Sequence, residues 1–213
     1  MKSILVILFI FSTQIHAKSA FTPEFEPYMS GTHGSFKFDG DYKGSFTAAG
    51  AGIKIGASLG PIYVAGEAQG QIPVFIASGD PEDTSTDVSP MPNTDLWMSY
   101  GLAIGMKTRF LSLIYTYIFD TTLNANIRND RGIGLSDENY EYTYHGNGHK
   151  LGVMVHLTKN FSIGAEASSY KFSKYTLDKD THVVTSGSKE TRDNLELAGL
   201  SLLLNYNITL ELK

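Results

Sequence analysis

A two-residue rhythm runs through most of this chain and limits it to sheets whose two faces differ. Leu96, Met98, Tyr100, Leu102, Ile104 and Met106 are apolar, and Trp97, Ser99, Gly101, Ala103, Gly105 and Lys107 fall between them. Successive side chains of a strand point to opposite faces, so this run reads as one strand with an apolar face and a face of mostly small residues. Leu111, Leu113, Tyr115, Tyr117 and Phe119 carry the apolar face on after Thr108-Arg109. Ala49, Ala51, Ile53, Ile55, Ala57 and Leu59 alternate with Gly50, Gly52, Lys54, Gly56 and Ser58, and Gly60-Pro61 then turns the chain. Ile62, Val64 and Ala68 return opposite Tyr63, Ala65, Glu67, Gln69 and Gln71. Leu151 to Leu157, Phe161 to Ala167 and Ala198 to Leu212 repeat the pattern, and a weaker strand with Phe36 and Phe38 precedes the Asp39-Gly40 turn signal. These runs predict about eight antiparallel strands.

The connections alternate in length. Those near 60, 108 and 159 take two or three residues, whereas those at about 73–94, 121–147 and 173–193 are long, polar and rich in turn formers. With the first strand starting on the inner side, every short turn falls on one side of a membrane and every long loop on the other, the layout of a transmembrane barrel. The connection at Asp39-Gly40-Asp41 is a short exception.

The N-terminus fits export. Lys2 precedes the apolar run Ile4–Phe11, and Ala17 stands at a cleavage position, with Ser19 or Ala20 as further choices. Eight apolar residues are too few for a membrane helix, which takes about 20, so residues 1–17 read as a signal peptide and 18–213 as the barrel domain. The absence of cysteine excludes thiol chemistry and disulfides, and a net charge of -5 gives no nucleic-acid footprint.

Which face meets lipid follows from the other face. A watery strand face carries Lys, Glu and Thr, but here it carries Gly50, Gly52, Gly56, Ser58, Ser99, Gly101, Ala103, Gly105, Gly152 and Gly164. Small residues suit the narrow interior of an eight-stranded barrel, which side chains fill. The apolar face then points outward to lipid. Such a chain resembles the small eight-stranded outer-membrane barrels, the OmpA transmembrane domain and OmpX-like proteins among them, on its leader, its alternation and its loop asymmetry. The resemblance implies an all-β, closed, antiparallel up-and-down transmembrane β-barrel in the bacterial outer membrane. It also implies outer-membrane lipid and lipopolysaccharide, the barrel-assembly machinery and a host or other cell-surface ligand as partners.

The chemistry-bearing residues are few. Lys54 and Glu67 face each other across the Gly60-Pro61 turn on the small-residue side, and Lys107, Lys150, His156, Glu166 and Asn205 share that face as a lumenal polar network. Two readings stand side by side: inward charges that simply fill a small barrel, and an ion-pair gate on a narrow conduit. Filling is the heavier of the two, because eight strands leave little free interior. His145 and His149 are four apart in a strand or loop region, so helical spacing does not put them on one metal. Some barrels of this size modify lipid A through a His/Ser pair at the outer rim, where His145, His149 and His182 lie with Ser168, Ser169 and Ser186, but nothing marks an activated nucleophile. The sequence therefore predicts a non-enzymatic barrel without cofactor or metal, with a structural or surface-interaction (adhesion-like) role through its long extracellular loops. Tyr100, Tyr115, Tyr117, Phe119, Phe161 and Tyr206 read as membrane-girdle aromatics. Leu123, Ala125 and Ile127, with Tyr140, Tyr142 and Tyr144, continue the alternation into a hairpin projecting above the membrane.

Epitope tags near Asp83, Asp130 and Asp180 should all be labelled on intact cells, and a tag at Lys159-Asn160 should not, because two strands separate each long loop from the next. Labelling of only two of the three outer sites would show the strand count between them to be wrong.

Overall fold

In hydrocarbon every backbone N–H and C=O must find a partner within the protein, which an alternating chain achieves only by closing its sheet. The computed structural model describes residues 21–38, 42–77, 93–128, 139–179, 182–184 and 195–209. They form β1 (Phe21–Phe38), β2 (Tyr42–Leu59), β3 (Ile62–Ala77), β4 (Asn93–Lys107), β5 (Leu111–Arg128), β6 (Asn139–His156), β7 (Phe161–Lys179), β8 (His182–Val184), β9 (Leu195–Tyr206) and β10 (Ile208–Thr209). Each of β1 to β7 pairs antiparallel with the next, and the short β8, β9 and β10 together make an eighth stave that closes onto β1. The predicted architecture, a closed antiparallel barrel of eight strands, is the observed one.

The register sets the width. From Glu26 the pairing passes through Lys54, Glu67, Gly101, Ile118, Gly148, Tyr170 and Leu197, and it returns to β1 at Phe36, ten residues further along. Eight strands with that stagger tilt by about 40° and enclose an interior only as wide as its side chains. Every residue on the circuit faces inward and is buried. Outward lie Ile55, Val64, Leu102, Ile104, Leu113, Val153, Ile163 and Leu202, each 40–71% exposed. Without a covering element that much bare apolar wall belongs against lipid. Gly60, at φ 60°, supplies the left-handed residue of the two-residue turn between Leu59 and Ile62.

Three expectations need correction. The Pro-containing lead before Ser35 is strand: β1 begins at Phe21, and Pro23 and Pro27 lie within it. Its ladder to the eighth stave breaks between Phe25↔Ile208 and Tyr28↔Asn205, and Pro27, with no N–H to give, falls in that gap. The long loops are shorter than expected, since β3 takes in Pro73–Ala77, β5 runs to Arg128, β6 starts at Asn139 and β7 reaches Lys179. Except for the apolar Pro73–Ala77, these stretches are rich in polar residues and read as loop from the sequence; the loop tips lie outside the described residues. Finally, a bulge at Phe119-Asp120 leaves both side chains exposed and reverses the parity of β5, so that Leu123 turns into the lumen and not outward.

Strands of 15–19 residues exceed the 9–11 or so that a crossing needs. The surplus lies away from the short turns, where the outward residues become polar: His33, Ser35 and Lys37 on β1, Thr47 on β2, Asn147 on β6, Lys171 on β7 and Glu196 on β9. Roughly 15–20 Å of wall therefore stands above the membrane. On one flank the wall is unzipped: β3 and β4 pair only as far as Gln71↔Trp97, although both strands continue beyond it.

Leu102→Arg, in the apolar belt, should cost about 2–4 kcal/mol of unfolding free energy in lipid vesicles, whereas Thr47→Arg, above the belt, should cost about 0–1 kcal/mol. Equal costs would show that the belt is not lipid-facing.

Candidate functional site

Polar side chains converge in the lumen, because every second residue of eight tilted strands points into a space that lipid cannot reach. Glu67 on β3 lies at its centre. Its carboxylate accepts from the Tyr28 hydroxyl at 2.6 Å, the Thr116 hydroxyl at 3.0 Å and the Lys150 ammonium at 2.6 Å, and Lys54 stands 3.6 Å away. Lys150 also donates to Gln69 and lies 3.7 Å from Glu166. Two lysines thus balance two glutamates. Tyr28 reaches Glu67 because its cross-strand partner is Gly52, over which the phenol lies in van der Waals contact, and a Cβ at position 52 would collide with the ring. The Lys54 ammonium caps the same ring, 4.3 Å from its centroid.

A second cluster lies nearer the short turns. Lys107 binds Glu24 at 2.7 Å and Glu26, and its ammonium sits 3.6 Å above the Tyr63 ring. Ser58 donates to Glu24, Asn207 donates to it at 2.8 Å, and Asn205 donates to Glu26 at 3.1 Å. A third group is a short chain in which His156 is bonded through Nε2 to Ser112 and through Nδ1 to Ser162, each at 2.6 Å. Both ring nitrogens are occupied and both serines are buried, so this His–Ser arrangement orders the wall and offers no accessible nucleophile.

The seven residues expected to share a lumenal network therefore fall into these three groups: Lys54, Glu67, Lys150 and Glu166; Lys107 with Asn205; and His156. Glu24, Glu26 and Tyr28 were missed, because they stand on the stretch of β1 read as a lead. Their alternation with Pro23, Phe25, Pro27 and Met29 was the available signal.

Above the ions the lumen changes character. Gln69 and Gln71 donate to Ser30 and Thr32, and Thr32 bonds Ser201 at 2.8 Å. Beyond them Phe36, Phe46, Trp97, Leu123, Tyr144, Tyr170, Phe172, Leu195 and Leu197 pack into a buried apolar plug. Trp97 meets Tyr170 edge-on at 4.6 Å and donates to Thr121 at 2.8 Å. At the other end a cavity of about 630 Å³ opens among the short turns, with Glu24, Lys107 and His156 in its lining.

Among the described rim residues no imidazole is hydrogen-bonded to a serine hydroxyl. His149 and Ser169 face each other across β6 and β7 on the outer wall, but the hydrogen bond of the imidazole goes from Nδ1 to Tyr115, at 2.6 Å. Ser168 points the other way and donates to the Gly199 carbonyl. His145 stands opposite Lys174. The side chain of His182, and all of Ser186, lie outside the described residues. Among the described residues no group of His, Asp and Glu could hold a metal ion.

Comparisons with known proteins agree with this architecture. The family model of the outer membrane protein beta-barrel domain matches residues 3–207. Among solved structures, Ail, the attachment invasion locus protein of Yersinia pestis, in complex with the heparin analogue sucrose octasulfate, is 14% identical, with 87% of this chain and 99% of that one covered and a TM-score of 0.53. Neisserial surface protein A is 17% identical, with 85% and 96% covered and a TM-score of 0.47. No curated protein matches.

Glu67→Gln should lower stability by about 3–5 kcal/mol, since it leaves two buried ammoniums short of a counter-charge. Adding Lys54→Met should recover part of that loss in urea unfolding from lipid vesicles. Strict additivity of the two changes would show that the pair is not coupled.

Proposed function

Because this chain belongs to the outer membrane protein beta-barrel family and resides in the bacterial outer membrane, we propose that it is a non-enzymatic structural and surface-interaction barrel that acts through its outer extension. One observation carries the reading: the interior is filled, by ion pairs below and aromatic rings above, so the surface left for a partner is the wall beyond the membrane. A gate at Lys54–Glu67 gains nothing from opening while the plug of Trp97, Tyr170 and Phe172 remains closed above it.

The extension has two features suited to contact. The β5–β6 hairpin continues past Phe119 and Asn147 as a paired ribbon to Arg128↔Asn139. The unzipped flank presents Ile72 and Val74, 61% and 59% exposed, beside strand edges that are unpaired with each other among the described residues. Such edges accept an added strand. The complex of Ail with a heparin analogue gives a shared fold in which a polyanionic sugar is bound. On this reading the partners are outer-leaflet lipid including lipopolysaccharide, the machinery that inserts barrels, and a ligand on a neighbouring cell or its matrix.

Bacteria displaying the chain should be retained several-fold better than bacteria lacking it on glass coated with heparin or extracellular matrix. A variant whose β5–β6 ribbon is cut back to a short turn beyond Asn124 and Thr143, keeping Leu123 and Tyr144 in the plug, and which still folds by heat-modifiable gel mobility, should lose that gain. Retention at the level of cells lacking the chain on every coating would contradict the adhesive role.

A further inference from the structure

On the outer wall, β6, β7, β9 and β1 stand side by side, and their outward residues form rows. The row Leu151, Ala167, Leu200 continues the apolar belt across β6, β7 and β9 and ends on β1 at His33. The next row toward the outside is His149, Ser169, Ala198, Ser35, and the one after it is Asn147, Lys171, Glu196, Lys37. Rows of one face are two residues, or about 6.6 Å, apart along a strand. The surface therefore passes from aliphatic, to hydroxyl and imidazole, to ammonium within the depth of one lipid headgroup.

The wall is also indented there. A depression of about 250 Å³ is lined by Ser35, Lys37, Ser169, Lys171, Glu196 and Ala198, with the small Ala198 side chain between the two serines. Lys171 lies 3.7 Å from Glu196, and Lys37 stands directly across the ladder from the same carboxylate. Two ammoniums against one carboxylate leave the pocket net cationic. The lysines are on strands separated by one stave, so their backbones are about 10 Å apart. At its edge His149 is stacked on Tyr115, with centroids 5.9 Å apart, and bonded to that hydroxyl through Nδ1; its Nε2 makes no bond among the described residues.

We propose that this pocket is a binding site for the phosphorylated sugar headgroup of an outer-leaflet glycolipid. Lys37 and Lys171 hold phosphate, Ser35, Ser169 and the His149 Nε2 bond sugar hydroxyls or phosphate oxygens, and the acyl chains run down Leu151, Leu200 and Leu202. Position selects this occupant over a soluble polyanion. The cationic row lies two rows above the aliphatic residues of β6, β7 and β9, at the height of the headgroups of the leaflet that wets Leu200. Glu196 orients Lys171 and keeps the patch from being a bare positive field. The site is independent of any adhesive role of the β5–β6 ribbon.

Detergent-folded protein can be titrated with purified rough-type lipopolysaccharide, or with the same lipid after dephosphorylation, while the unfolding midpoint is followed. Phosphorylated lipid should raise the midpoint, and the dephosphorylated form should need at least tenfold more lipid for the same rise. Lys37→Gln with Lys171→Gln should weaken the phosphorylated lipid at least tenfold and leave the lipid-free midpoint unchanged, since both side chains are exposed. His149→Phe, which keeps the ring stack, should produce a smaller loss. Lys159→Gln at the opposite end should have no effect. Wild-type affinity in the double lysine variant, or equal affinity for the two lipid forms, would overturn the assignment. So would a double variant that loses soluble heparin but keeps lipopolysaccharide.

Discussion

A strand crossing hydrocarbon cannot leave its backbone groups unpaired, and with eight strands the only remedy is a ring. Closing that ring with a ten-residue stagger leaves an interior only wide enough for side chains from opposite walls to fill. The contents of the lumen are therefore the core of the protein, and they are under the same demand for satisfied groups and dense packing as any buried interior. The outer surface of the wall plays the part that solvent-exposed residues play elsewhere, with lipid as the solvent.

The core is built in two materials. Near the short turns it is ionic: Lys107 holds Glu24 and Glu26, and further in Lys54 and Lys150 flank Glu67. Toward the outside it is aromatic, around Trp97, Tyr170 and Phe172. Buried ion pairs add little net stability over apolar packing, since desolvation offsets the attraction, but a mispaired one is costly. They favour one register for the strands that carry them, because a slip of one residue would turn Glu67 or Lys150 toward lipid. Above the bilayer that penalty is absent and rings suffice. A core so constructed is the observation behind the proposal that interaction takes place on the outside of the wall and its extension.

Much of this was legible in the sequence where the rule was simple. Alternation from Ala49 to Gln71 and from Leu96 to Phe119 names the strands, the faces and the Lys54–Glu67 pair, because parity along a tight hairpin leaves no freedom. It failed where a local feature overrode parity. Pro23 and Pro27 suggested a lead, yet β1 starts before them, and with it Glu24 and Glu26, the partners of Lys107. The Phe119-Asp120 bulge has no glycine or proline to announce it, and it turned Leu123 from outward to lumenal. The grouping of seven inward residues into three sets depends on stagger, which is a property of the whole ring and cannot be read from any one hairpin.

The claim on which the rest stands is that the lumen is shut twice, by charge and by aromatic packing. Single-channel recording in planar bilayers addresses it directly, with the wild-type chain and the Lys54→Met, Glu67→Gln variant compared at equal insertion. The account predicts no discrete conductance steps from either, because removing the ion pair leaves the Trp97–Tyr170–Phe172 plug in place. Reproducible steps in the wild type, or steps that appear once the pair is removed, would contradict it and restore a conduit gated at Glu67.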